Sequence, residues 1–212
     1  MKVYDIIVER YKPGHIIFTS ELQKICEGKI KEATVRKQIE RLVDKSELIK
    51  IANGVYAIPE RSSLEECVKI IDVNKVIEKK YLKDDREVKG YYSGLTLLSR
   101  LGICNQMPNI KEIVTNNEAS RKRTVQISKR KVIIRKSRVK VNKDNVYTLQ
   151  FLELMRIIDD YRDCSKEWAK EVIVEEYKGK VSWEKIEQYI KYFPSKVAKK
   201  MMEYKVYELF AW

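Results

Sequence analysis

A single histidine, His15, occurs in a chain of 212 residues, and its isolation excludes a good deal of chemistry. The four cysteines, Cys26, Cys67, Cys104 and Cys164, are widely scattered and form no Cys-x-x-Cys pair. A zinc site needs His and Cys ligands at close spacing, so no metal is expected. The cysteines read instead as reduced, structural thiols of a cytoplasmic protein. No apolar run approaches the ~20 residues that cross a bilayer. The opening Met1-Lys2-Val3-Tyr4-Asp5 lacks the basic-then-apolar order of an export signal, so no membrane association is expected.

Catalytic signatures are equally scarce. The chain has neither a Gly-x-x-x-x-Gly-Lys-Ser/Thr loop nor a Gly-x-Gly-x-x-Gly turn, and no cofactor is expected. Gly90-Tyr91-Tyr92-Ser93-Gly94 sets a serine between glycines, but at the wrong spacing for a Gly-x-Ser-x-Gly nucleophile elbow. His15 has no acid or thiol nearby in sequence and reads as a turn or packing residue. Asp84-Asp85 lies on a lysine-rich turn and reads as solvated, while Tyr91 and Tyr92 beside a leucine-rich helix read as core. The expectation is a protein that is not an enzyme.

What the chain does have is positive charge, a net +13, and it is unevenly spread. Residues 1–60 hold 11 basic and 9 acidic side chains, whereas residues 117–143 hold 11 basic and 1 acidic. Such a concentration points to a polyanionic partner. It comprises Arg121, Lys122, Arg123, Lys129, Arg130, Lys131, Arg135, Lys136 and Arg138 on an expected antiparallel strand pair, 123–128 and 131–137. Three readings stand side by side. The surface follows DNA phosphates, or it meets an RNA or acidic protein, or it is a solvated face whose charges discourage edge pairing.

Hydrophobic residues make up 44% of the chain, enough for one full core or two modest ones. The pattern favours an α+β protein with a boundary at Pro59-Glu60-Arg61-Ser62-Ser63, giving domains 1–60 and 61–212. A first helix spans 2–11, and 15–18 is an extended lead. Ser20 to Gln23 forms a Ser-x-x-Gln capping box. Val35, Ile39, Leu42 and Val43 then mark the buried stripe of a helix over 33–45. Its other face carries Ala33, Thr34, Lys37 and Arg41, with Arg36 on the flank and Glu40 and Asp44 among them. Asn53-Gly54 joins strands 48–51 and 55–58 and suits a type I′ turn. Beyond the boundary, 64–82 is expected helical with a break near Asp72. A leucine-rich helix ends at Gly102 and a strand covers 111–116. The remainder is helical, including 147–161, 183–192 and a last helix near Pro194.

Helix, helix and hairpin in this order resemble a winged helix-turn-helix. Further along, Gly94-Leu95-Thr96, Leu101-Gly102-Ile103-x-x-Gln106-x-Pro108, the strand ending Thr115-Asn116 and the basic strand pair follow a first domain closing in GVYAIP. Together these resemble the AbiEi-type antitoxin and transcriptional-regulator family over about Ile17 to Met201. The resemblance implies an N-terminal winged helix-turn-helix and a C-terminal antitoxin domain of mixed α/β character with a small antiparallel sheet. It implies autorepression of a type IV toxin–antitoxin operon, with a nucleotidyltransferase-type toxin countered without obligatory contact. The DNA-contacting positions that follow are Ser20, Thr34, Arg36, Lys37, Arg41, Lys50, Asn53 and Gly54. The alternatives are a plain winged-helix regulator, or an RNA-binding regulator using the basic stretch 121–140.

Overall fold

The computed structural model describes residues 2–60 and 72–207. The chain is a mixed α+β protein whose described residues group into two compact units. One holds 2–60 and 72–76 with Gln126–Lys129; the other holds 77–125 and 130–207. No helix among the described residues is long and apolar enough to cross a membrane.

The N-terminal unit begins with α1 (Val3–Arg10), which buries Val3, Ile6 and Ile7. Arg10, in its last turn, is exposed. The extended lead is a true strand, β1 (Ile16–Phe18), followed by α2 (Thr19–Cys26), α3 (Glu32–Asp44), β2 (Ile49–Ala52) and β3 (Val55–Ala57). The sheet order is β1-β3-β2, antiparallel throughout. Val35, Ile39 and Leu42 of α3 pack with Leu22, Cys26, Ile17 and the α1 residues into one core. Each such side chain, fully buried, contributes about 1.5–3 kcal/mol.

Two local expectations are corrected here. Ser20 does not cap α2. Phe18 is held in register with Val55, so the helix starts at Thr19, and the Glu21 carboxylate accepts the Phe18 N–H at 3.3 Å. Gln23 instead donates to Glu32 Oε1 at 2.6 Å, tying α2 to the start of α3. Nor is the Asn53-Gly54 turn of type I′, which needs positive φ at both residues. Only Gly54 adopts it, with φ +70°, and the pairing shifts register between Lys50 and Ala52. That irregularity absorbs the twist a primed turn would have supplied.

Asp72 accepts the Asn74 N–H at 2.8 Å at the start of α4 (Val73–Ile77), whose last residue opens the C-terminal unit and runs on as a π-helical turn, Glu78–Leu82. The expected helical stretch 64–71 and Cys67 lie outside the described residues. Then come β4 (Gly90–Ser93), α5 (Gly94–Arg100), β5 (Lys111–Thr115), β6 (Lys122–Ile127) and β7 (Arg130–Lys136). The sheet order is β4-β5-β7-β6. It is larger than the expected antiparallel pair and is mixed, because β5 runs parallel to β7. β6 and β7 are neighbours joined by two residues, a connection only antiparallel strands permit.

Four helices complete the unit: α6 (Val146–Tyr161), α7 (Lys166–Tyr177), α8 (Trp183–Ile190) and α9 (Lys196–Glu203). α6 is the centre, packing on β4, α5, α8 and α9. Its Leu149, Leu152, Met155 and Ile158 are buried, as their helical spacing predicts. Tyr91 belongs to this core, and Tyr92 is half-buried against it. Gly90 is fixed by space. A Cβ there would lie 2.2 Å from the Tyr81 carbonyl oxygen and 2.5 Å from that of Val114.

Candidate nucleic-acid interface

The apolar stripe that anchors α3 fixes what its other face presents. With Val35, Ile39 and Leu42 inward, Ala33, Thr34, Arg36, Lys37, Glu40, Arg41 and Asp44 are exposed. The Val3 N–H donates to Gln38 Oε1 at 2.8 Å, so α1 braces this helix from the side. Arg36 pairs with Glu32 at 2.9 Å. Lys37 and Arg41 form no hydrogen bond or ion pair among the described residues. Small side chains at the amino-terminal turn and free cations further along suit close approach to a polar groove. The acids between them leave the face mixed in sign.

The remaining positions fall into two groups. Lys50 and Asn53 are exposed on β2 and its turn, and Gly54 is half-buried, its carbonyl accepting the Thr19 N–H at 3.0 Å. Ser20 is exposed in the first turn of α2 rather than before it. His15 packs its ring against Tyr11 at 5.2 Å between centroids.

The nine basic side chains of residues 121–138 separate into two classes. Arg121, Lys122, Lys129, Arg130, Lys131 and Lys136 are exposed. The other three are engaged. Arg123 donates to Glu118 at 2.7 Å, and Arg138 lies over the Phe193 ring at 5.5 Å while donating to the Tyr192 carbonyl at 3.3 Å. Arg135, only 27% exposed, pairs with Glu112 at 2.7 Å and approaches Glu153 at 3.9 Å, so it departs from the expected basic surface. Burial opposes ionisation of Glu118, but hydrogen bonds from Arg123 and Ser120 outweigh it and hold the carboxyl below its ordinary value.

Behind the sheet lies a cluster the sequence did not disclose. Glu153 of α6 is 4% exposed, accepts two hydrogen bonds from Arg156 at 2.7 and 2.9 Å, and accepts the Ser93 hydroxyl at 2.5 Å. Burial pushes its carboxyl up, and Arg156, Ser93 and Arg135 together bring it below the usual range. A carboxylate so held is a poor proton acceptor near neutrality, so Ser93 gains no activating base from it. The cluster joins β4, β5, β7 and α6. The signal that could have found it is the pair Glu153 and Arg156, spaced i, i+3 within the otherwise apolar stretch Leu152 to Ile158.

Asp84, expected solvated, is partly buried and takes Lys89 Nζ at 2.5 Å and the backbone N–H groups of Arg86 and Glu87. Burial raises its carboxyl, and those bonds reverse the effect, lowering it to about 2. Among the described residues no three His, Cys, Asp or Glu side chains gather where they could share a metal ion. Cys26, Cys104 and Cys164 are free thiols, the first two buried.

No curated protein matches the chain. A family model described as a family of unknown function matches residues 2–176, from α1 into α7, which takes in the α3 face, the basic strands and the Glu153 cluster alike. The chain belongs to that family, DUF6088.

Proposed function

We propose that the N-terminal unit is a winged helix-turn-helix that binds operator DNA sequence-specifically, with α3 as its recognition helix and the β2–β3 hairpin as its wing. The observation that carries the reading is the outward face of α3. Thr34, Lys37 and Arg41 are exposed there, and both long cations lack a partner among the described residues. The order of the elements and a three-stranded antiparallel sheet closed by β1 support it. A helix of this length fits the major groove, where side chains meet base edges.

On this reading the protein is a cytoplasmic autorepressor. The resemblance to AbiEi-type antitoxins extends the proposal to antagonism of a nucleotidyltransferase-type toxin by the C-terminal unit. Lys37→Ala with Arg41→Ala tests the DNA part. A base contact is worth about 1–3 kcal/mol, so affinity for the DNA upstream of the gene should fall roughly tenfold or more. A double variant that shifts that DNA in a gel as well as the parent would remove α3 from the interface.

A further inference from the structure

We propose that the β6–β7 surface of the C-terminal unit, centred on Lys122, Arg130 and Lys131, binds the phosphate backbone of duplex DNA without regard to sequence. The choice of DNA as the polyanion rests on the reading of α3 given above. Lys122, Arg130 and Lys131 are exposed, as are Arg121 and Lys136, and none of the five has a side-chain hydrogen bond or ion pair among the described residues.

Three features set this surface apart from an ordinary solvated face. Among the described residues, three carboxylates of the sheet and its flanks are already committed. Glu118 is held by Arg123, Glu112 by Arg135 and Glu153 by Arg156, all partly or fully buried. Within 117–143 Glu118 is the only acid, so the exposed cations have no local counter-charge in sequence. Edge protection does not account for all of them. A lysine on an outer strand discourages pairing with another chain, and that covers Lys122 on β6. Arg130 and Lys131 precede the β5 pairing, which begins at Val132, whereas Lys136 lies opposite Thr115 on a strand with β5 and β6 as neighbours, where no such guard is needed.

Like charges gathered this densely repel one another at distances within a Debye length, and a row of phosphates relieves that repulsion. Contacts made to phosphates alone position a duplex without reading it.

The test uses the full chain, a short fluorescein-labelled duplex of random sequence and a second duplex carrying the DNA upstream of the gene. Anisotropy titrations between about 50 and 200 mM salt give the salt slope for the parent and for the Lys122→Gln, Arg130→Gln, Lys131→Gln triple variant. Each phosphate contact contributes roughly 0.9 log unit of affinity per log unit of salt, so the triple variant should lose roughly 2–3 units of slope. Both duplexes should weaken together, leaving the preference for upstream DNA intact, and the thermal melt should not move.

An unchanged slope in the triple variant, with binding lost in Lys37→Ala/Arg41→Ala, overturns the proposal and leaves the α3 reading standing. The reverse pattern removes α3 and keeps this surface. A parent that ignores both duplexes but binds single-stranded RNA of the same length, with a slope the triple variant lowers, overturns duplex DNA as the ligand.

Discussion

On the outward face of α3, Glu32, Glu40 and Asp44 stand in the open among Thr34, Lys37 and Arg41, whereas β6 and β7 carry no acid, and their neighbours Glu118 and Glu112 are fully or partly buried against Arg123 and Arg135. The α3 face is consequently mixed in sign and depends on individual contacts for any selectivity. The β6–β7 surface is uniform in sign, and its attraction for anions is indifferent to their order. Formal charge counted along a sequence cannot separate these cases. What matters is which acids are buried against which cations, and that is set by strands and helices far apart in the chain.

The largest test of the contrast is Glu153→Gln. It leaves Arg156 buried without its counter-ion and keeps only one of the two acceptor oxygens that Arg156 and Ser93 now share. Breaking a buried pair from one side costs about 3–5 kcal/mol. Denaturant unfolding should show that loss in the C-terminal unit. A cost below about 1 kcal/mol would mean the inward carboxylates are not structural, and the comparison would break.

Acid provides the next test. Asp84 titrates at about 2 when folded against an ordinary 3.8. A depressed carboxylate stabilises fully above its unfolded value and loses that contribution as pH falls towards the folded one. The window is therefore about pH 4 to 2, and the contribution at neutral pH is roughly 1–2 kcal/mol. Asp84→Asn should lower stability at pH 7 and flatten the acid limb. A parent and variant with parallel acid limbs would count against the Lys89 pair as its source.

Smallest is Arg36→Gln, which breaks the exposed Glu32 pair. Surface pairs spaced i, i+4 are worth about 0.3–0.5 kcal/mol, so the thermal midpoint should scarcely change. That sharpens the comparison. Any sizeable loss of DNA affinity in this variant would then report a contact with DNA and not a damaged helix.

Local periodicity carried much of this fold into view. The α3 stripe, the β6–β7 strands with Val132 and Ile134 buried, and the α6 core residues follow from spacing that each element repeats within itself. What escaped depends on partners distant in sequence. Ser20 looked like a cap because Phe18 gives no hint, read alone, that Val55 holds it in a strand. The parallel pairing of β5 with β7 leaves no mark in either strand. Arg135 counted as surface charge until Glu112 and Glu153 met it from another strand and a helix. The segment between Tyr161 and Trp183 read only as generally helical. Its α7 buries just Ala169, Ile173 and Tyr177, and exposes Trp168.

Gly90 bears on how any saturation screen of this protein would be interpreted. Two carbonyl oxygens occupy the space a methyl group would need, and both belong to backbone that cannot turn aside as a side-chain tip can. Position 90 would therefore score as intolerant in every selection, beside a tyrosine pair and a serine that invite a mechanistic story. An assay that measures folded protein in the cell separately from activity would assign that intolerance to abundance, and would keep a steric constraint from being mistaken for a functional site.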